Sequence, residues 1–561
     1  MTPASLLRAL ERSARRFGGN AARRKLELLG QAERLRLPSA RAVTRLHEAF
    51  CWLRAYPDDV QVLARVRSLL EGFASRADLR RHRDALADTG IAGTAIHYRF
   101  FAAQAQWLAR HWPQQLTLDR SDDGDDAQAR IAASLPAVLT LAERHALAEM
   151  KLPGFAVLDQ LRGHGCTDAV FLLARIAAMP GDGFTREAFS DAIDAGYVLA
   201  PAAGTPSRTT AHFACAPVVF RSAPPPRQRP DLRAELARAP RSMRRLPPRD
   251  AQALVDLARG AMATRARSLE AFSYADARDA WLVDDGDGLA FGLVGVIPER
   301  RHVLASYYGG LLLRNGVPIG YVQADHLGAR AALSFNTFET FRGGEAAFVF
   351  ARWLATLRHG LGAHSFSIEP YQLGEDNDEA LDSGAWWFYA KLGFAPRDAA
   401  TRRLAREEWA RSQHRAGHRT PRVRLQALAR QHLFFDLDAA RPVPWVPLAR
   451  WGIRCGQWLS EQAGPDREHA LDEAQATLLR ACGVRACRGW SDDEQHAWRR
   501  FAPLAALLQV TRWPVRARQA LVPLVRAKAA AEGERDYLAR YLAHPRLDAA
   551  LSERHTTQRK R

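Results

Sequence analysis

The apolar positions of this chain change their period twice. Up to about residue 200 they recur at helical spacing: Val60, Val62, Leu63, Val66, Leu69, Leu70 and Phe73 fall on one side of a helix, and 100–112 behaves likewise. The acidic run 119–126 has no apolar face and contains Gly124, so it is expected as a loop before helical spacing resumes over 127–195. Residues 201–210 are rich in Pro, Gly, Ser and Thr, and 211–220 allow a short strand or two. The run Ala223-Pro224-Pro225-Pro226-Arg227-Gln228-Arg229-Pro230 predicts an extended linker, because Pro fixes φ and lacks a backbone donor. Helical spacing returns over 231–269.

From 281 to 370 the period shortens towards two. Strands are expected at 281–284, 289–297, 307–314, 317–325, 331–341 and 365–369. Between the third and fourth, Arg314-Asn315-Gly316-Val317 is a strong hairpin signal, since both turn residues must take positive φ. One helix, 346–359, interrupts the strands; Phe350, Trp353, Leu354 and Leu357 give it an apolar face, and Gly360 and Gly362 end it. Beyond 396 helical spacing continues past a Pro-rich breaker at 441–447 to a basic tail, Gln558-Arg559-Lys560-Arg561. The pattern predicts a mixed, mostly antiparallel sheet with helices (α+β) over 231–400. All-α regions at 1–200 and 446–561 flank it, with a linker at 201–230 and a helical connector at 401–445. A chain of 561 residues exceeds what one hydrophobic core usually supports.

Composition adds limits. Arginines interrupt every apolar run short of a membrane span, and residues 1–18 lack the apolar core of a secretory signal, so no membrane association is expected. Six scattered cysteines suit a reducing cytoplasm, and Cys482 and Cys487 have no second pair nearby, so no metal is expected. The formal charge is +19, yet only five of the 80 basic residues are lysines, the mark of GC-rich coding. Such a surface attracts polyanions. Arginine pairs such as Arg15-Arg16 and Arg80-Arg81 are nevertheless interleaved with Glu and Asp, and no basic stretch carries spaced aromatics. Nucleic acid is therefore not the favoured partner.

The residues that carry chemistry lie between 331 and 396. The turn Thr340-Phe341-Arg342-Gly343-Gly344-Glu345-Ala346 joins a strand to a helix start. Its glycines let a phosphate approach backbone N–H groups at the positive end of the helix dipole. Downstream, Ala385, Tyr389, Lys391, Gly393 and Phe394 match at every fixed position the Ala-x-x-x-Tyr-x-Lys-x-Gly-Phe motif of the GNAT superfamily. The order of elements is similar to that family's as well. The resemblance covers the central region only. It implies acyl transfer, with acetyl-CoA the expected donor, to an amine acceptor that is a small molecule or a peptide. The donor's pantetheine would lie between two splayed strands and its pyrophosphate at residues 340–346, where the family has Arg or Gln at the position of Phe341. It also implies Tyr389 as the acid for the departing thiolate. Either Glu339 or Glu369 would serve as base, and Asn336 and Tyr371 would face the acceptor. Related folds take aminoacyl groups from tRNA or acyl groups from carrier protein, and a domain that has lost its donor can persist as a scaffold; both remain alternatives.

Overall fold

The computed structural model describes residues 2–558, apart from 122–123, 151, 215–216, 227, 344 and 416; for 124–125 and 553–558 it describes the backbone only. Gly344, Cys215 and the tail 559–561 thus lie outside the described residues.

Nine strands form the central sheet: β1 (Ser242–Arg245), β2 (Ala275–Gly286), β3 (Leu289–Val296), β4 (Ser306–Arg314), β5 (Val317–Leu327), β6 (Arg330–Thr337), β7 (Ser365–Ile368), β8 (Ala395–Pro396) and β9 (Leu433–Asp436). Their spatial order is β8-β9-β7-β6-β5-β4-β3-β2-β1. Strands β2 to β6 form an antiparallel meander, whereas β6 and β7 run parallel. The β4–β5 turn is the expected hairpin, with Asn315 and Gly316 at φ of 46° and 77°. No side chain fits at residue 316, because a Cβ there would lie 2.2 Å from the Phe213 carbonyl oxygen. The linker is strapped over this tip: Phe213 N–H donates to Gly316 O and Val219 N–H to Asn315 Oδ1. Residues 211–220 form no strand among those described.

Four helices frame the site: α1 (Ala40–Ala55), α2 (Pro248–Ala263), α3 (Ala346–Leu361) and α4 (Ala385–Ala390). Helix α3 is the crossover between the parallel strands, which need such a connection. It covers one face of the sheet, with Trp353 against Gly310 and Phe291 and Phe350 against Phe335. Helix α2 and the turn Glu270–Ser273 cover the other face, where Leu254 meets Gly292 and Phe272 meets Gly309.

Several expectations need correction. The region 1–200 is not all-α: Ile96–Tyr98, Leu116–Leu118 and Tyr197–Leu199 form a separate three-stranded sheet. Residues 96–199 build a core of their own, with Ala263 as the one residue from elsewhere, while the helices before residue 92 share the core of the large sheet. The connector 401–445 supplies β9, which is inserted between β7 and β8. Strand β1 interrupts the helix expected over 231–269. The acidic run 119–126 is not loop throughout, because a helix begins at Gly124. The last strand of the meander ends at Thr337, and Glu339–Phe341 is a 3₁₀ turn. Within the segment expected as helical, 446–561, the described residues up to 558 are helical, and no helix among the described residues is long and apolar enough to cross a membrane.

Candidate functional site

Two features of the sheet create the site. First, β6 and β7 pair only from Arg330 to Leu333 and from Ser365 to Ile368. Beyond Leu333, β6 runs on to Thr337 with no strand partner on that side among the described residues, so the parallel pair opens into a fork beside the start of α3. Second, β5 alternates: Tyr321, Gln323 and Asp325 are half-buried among fully buried neighbours. Side chains two apart share a sheet face, so these three line the α2 face together with Ser334 and Asn336, which pair with Gln323 and Tyr321.

At the wide end of this polar stripe a cavity of about 810 Å³ opens between the sheet, α1 and the end of α2. Six arginines and five carboxylates line it, among them Arg208, Arg265, Arg267, Arg342, Glu48 and Glu339. Most are paired: Arg45 with Glu11 at 2.7 Å, Arg208 with Glu48 at 2.8 Å, and both Arg342 and Arg267 with Glu379, at 2.9 and 3.3 Å. These arginines hold the Glu379 carboxyl below the usual range, the Arg342 hydrogen bond contributing most. Arg267 also donates to the Tyr321 hydroxyl, which accepts a further bond from Asn336 Nδ2 at 3.3 Å.

Of the residues expected in the site, Asn336, Glu339, Thr340 and Arg342 meet at this cavity. Strict strand alternation would bury Glu339, but the strand ends before it and its carboxylate is exposed at the rim. Phe341 is buried, its ring 6.1 Å from Trp52 and 6.4 Å from Tyr56 of the N-terminal region. Glu345 is buried too, ion-paired with Arg314 and hydrogen-bonded by the Tyr56 hydroxyl. Arg342 and Gly343 remain exposed, and the space around Gly343 is open. Ala346 begins α3, whose first turn has no side-chain cap.

Three expected residues lie away from the cavity. Tyr389 sits in α4 on the α3 side of the sheet, its ring 5.4 Å from Phe350 and 6.1 Å from Phe394. Burial raises its hydroxyl pKa, and among the described residues that hydroxyl has no hydrogen-bond partner. Glu369 follows β7 directly and is exposed, its pKa raised by partial desolvation. Tyr371, on the short helix Pro370–Leu373, points to solvent with 56% of its surface exposed.

Sequence reading missed Asp325, which the alternation of β5 could have revealed. Burial first, and the Glu369 charge second, push its carboxyl up to about 7. His302 Nε2 stands 3.6 Å away and Tyr307 is its cross-strand neighbour. A carboxyl that exchanges its proton near neutrality beside a fork in a sheet suits a general base. Also missed were Arg208 and Arg265, which sit outside any motif. Comparison with family models, curated proteins and solved structures returns no match.

Proposed function

We propose that the chain is an acyl-CoA-dependent N-acyltransferase of the GNAT type. The observation that carries this reading is the fork between β6 and β7 beside the uncapped start of α3. A pantetheine arm entering there would find unpaired backbone groups on β6. Its phosphates would meet the free N–H groups of the first helical turn, with Gly343 and Arg342 alongside. The polar stripe on the α2 face would hold the acceptor amine, with Asn336 and Tyr321 at one end and Asp325 at the other.

In this reading Asp325 takes the ammonium proton, and the neutral amine attacks the thioester carbonyl. The tetrahedral oxyanion accepts hydrogen bonds from β6 N–H groups beyond Leu333. The C–S bond then breaks: Tyr389, on the opposite side of the fork, protonates the leaving thiolate, and the second proton of the amine nitrogen leaves to solvent, from which Tyr389 is reprotonated. Glu369 keeps Asp325 basic by like-charge repulsion rather than acting as base itself. The acceptor is an amine, and acetyl-CoA is the first donor to test.

Calorimetric titration with acetyl-CoA and longer acyl-CoAs checks the donor site, and thiol release in the presence of amines checks turnover. Binding should be lost in Gly343→Val while unfolding stays cooperative. If no acyl-CoA binds and no thiol is released, the reading fails. One observation favours the alternative of a silent scaffold: Phe341 and Glu345 are held by Trp52, Tyr56 and Arg314, which closes half of the turn. That reading requires wild-type protein to ignore acyl-CoA altogether.

A further inference from the structure

Four buried polar atoms of residues that line the cavity lack a hydrogen-bond partner among the described residues: Arg265 Nε, Arg208 Nε, Glu48 Oε2 and Trp52 Nε1. Buried polar groups are almost always satisfied, so unmet N–H groups gathered at one place call for an acceptor, whereas Glu48 Oε2, itself an acceptor, is not met by an anion. Arg265 is the most telling. Its guanidinium lies 3.4 Å over the Phe338 ring, and only Nη1 is bonded to protein, to Ala261 O and Thr264 Oγ1. No carboxylate is within ion-pair distance of it among the described residues. Burial first, and the Arg208 charge second, drive its pKa well down. The same surroundings draw the Glu48 carboxyl up, chiefly through desolvation. Two arginines held together with incomplete partners form a fork for an oxyanion, which accepts several N–H bonds at once.

We propose that the acceptor amine carries an oxyanion group, a phosphate or a carboxylate, which binds between Arg208 and Arg265. This deepens the acyltransferase reading and rests on it for the word acceptor. The cavity joins the stripe at Asn336 and Tyr321, and Tyr321, Gln323 and Asp325 step along β5 by about 7 Å per pair of residues. An amine a few bonds from its oxyanion would therefore sit near Tyr321, two such steps or about 14 Å from Asp325, and its proton would pass to Asp325 through solvent along the stripe. Glu339, exposed at the rim and free of ion pairs among the described residues, suits a ligand that brings a cation as well as an anion.

The test uses full-length protein and matched probes: ethanolamine against O-phosphoethanolamine, glucosamine against its 6-phosphate, butylamine against 4-aminobutyrate, and inorganic phosphate alone. The anionic member of at least one pair should bind about tenfold or more tightly than its neutral counterpart, as expected for charge-assisted bonds. Millimolar inorganic phosphate should raise the melting temperature more than chloride at equal ionic strength. Arg265→Met and Arg208→Met should each erase the preference while leaving acetyl-CoA affinity unchanged. Arg265→Met should keep or raise the melting temperature, because it removes an uncompensated cation; a purely structural arginine would lower it. The phosphate and carboxylate pairs separate the two oxyanions. If neutral and anionic probes bind alike, if phosphate gives no shift beyond chloride, or if Arg265→Met keeps the preference, the proposal fails. An oligonucleotide that outcompetes every small probe and is released by the same substitutions would overturn it in favour of a nucleic-acid channel. If the preference holds but no acyl-CoA binds, acyl transfer falls and the oxyanion site stands.

Discussion

Asp325 shows how a single carboxyl can couple stability to chemistry. The unfolded group ionises near its ordinary value of 3.8, whereas the folded one, buried and facing Glu369, ionises near 7. Between these values the folded state holds the extra proton, so stability falls as pH rises and levels off above the folded value. Asp325→Asn should remove that slope and add on the order of 1–3 kcal/mol at pH 8 in denaturant melts. If Asp325 is the base, the same substitution should abolish turnover, and wild-type kcat/KM should climb through about pH 7. A more stable but still active Asp325→Asn protein would remove Asp325 from the mechanism. Tyr389 has the opposite profile. Its hydroxyl has no partner to lose, so Tyr389→Phe should barely change stability and should lower kcat by about 10–10³-fold with acyl-CoA affinity intact. Unchanged kcat would make it a core ring of the cluster around Phe350 and Phe394. At this scale the sequence picked out Tyr389 by a motif, and the structure places it in a ring cluster away from the cavity; it picked out Arg342 by its turn, and the structure places it at the cavity. Asp325, Arg208 and Arg265 depend on residues far away in the chain and could not be read locally.

The elements that sequence patterning found are those whose identity is local. Asn315-Gly316 dictates its own hairpin, and 346–359 carries its own apolar face and glycine stop, which the structure extends to Ala346–Leu361. Missed were β1, β8 and β9, which span only two to four residues and are strands because neighbours pair with them. Strand β9, Leu433–Asp436, is closed on both sides by β7 and β8 although helices precede it and follow it. The start of α3 is set by distant residues too. The Glu345 carboxylate is buried against Arg314 of β4, and Tyr56, just past α1, donates to it. Breaking such a pair from one side leaves a buried charge poorly compensated, here only by Arg221 at 3.9 Å. Arg314→Met should therefore cost about 3–5 kcal/mol by denaturant unfolding. Adding Glu345→Gln should return part of that loss. An additive double variant would show that the two side chains do not act as a pair.

At the scale of the whole molecule, the described residues form two large cores and a small satellite of Ala271, Val296 and Tyr307, and residues 96–199 are an insertion rather than the front half of a helical domain. Ile96 and Leu199 are antiparallel neighbours, so the chain enters and leaves this unit at adjacent points. Its named links to the rest are mostly polar: Trp107 Nε1 to Asp256 at 2.8 Å, Gln104 Nε2 to Arg259 O at 3.3 Å, and Gly183 N–H to Glu299 at 2.7 Å. The C-terminal helices differ. Lys528, fully desolvated, is ion-paired with Glu534; Arg301 donates to Lys528 O and Ala530 O; and Leu521, Leu524 and Tyr537 belong to the core of the sheet. A polar interface between separate cores behaves like a transient one, whereas a shared core unfolds as a unit. Calorimetry should accordingly resolve two transitions. Leu173→Ala, inside the inserted unit, should lower one of them by about 2–5 kcal/mol of stability, and Leu521→Ala should lower the other by a similar amount. Replacing residues 97–198 by a short Gly-Ser bridge should leave a chain that keeps the Leu521-sensitive transition and loses the Leu173-sensitive one. If both substitutions move a single transition, the inserted unit is bound to the sheet more strongly than its polar seam accounts for, and the cavity beside Asp88 and Arg267 would depend on it for its shape.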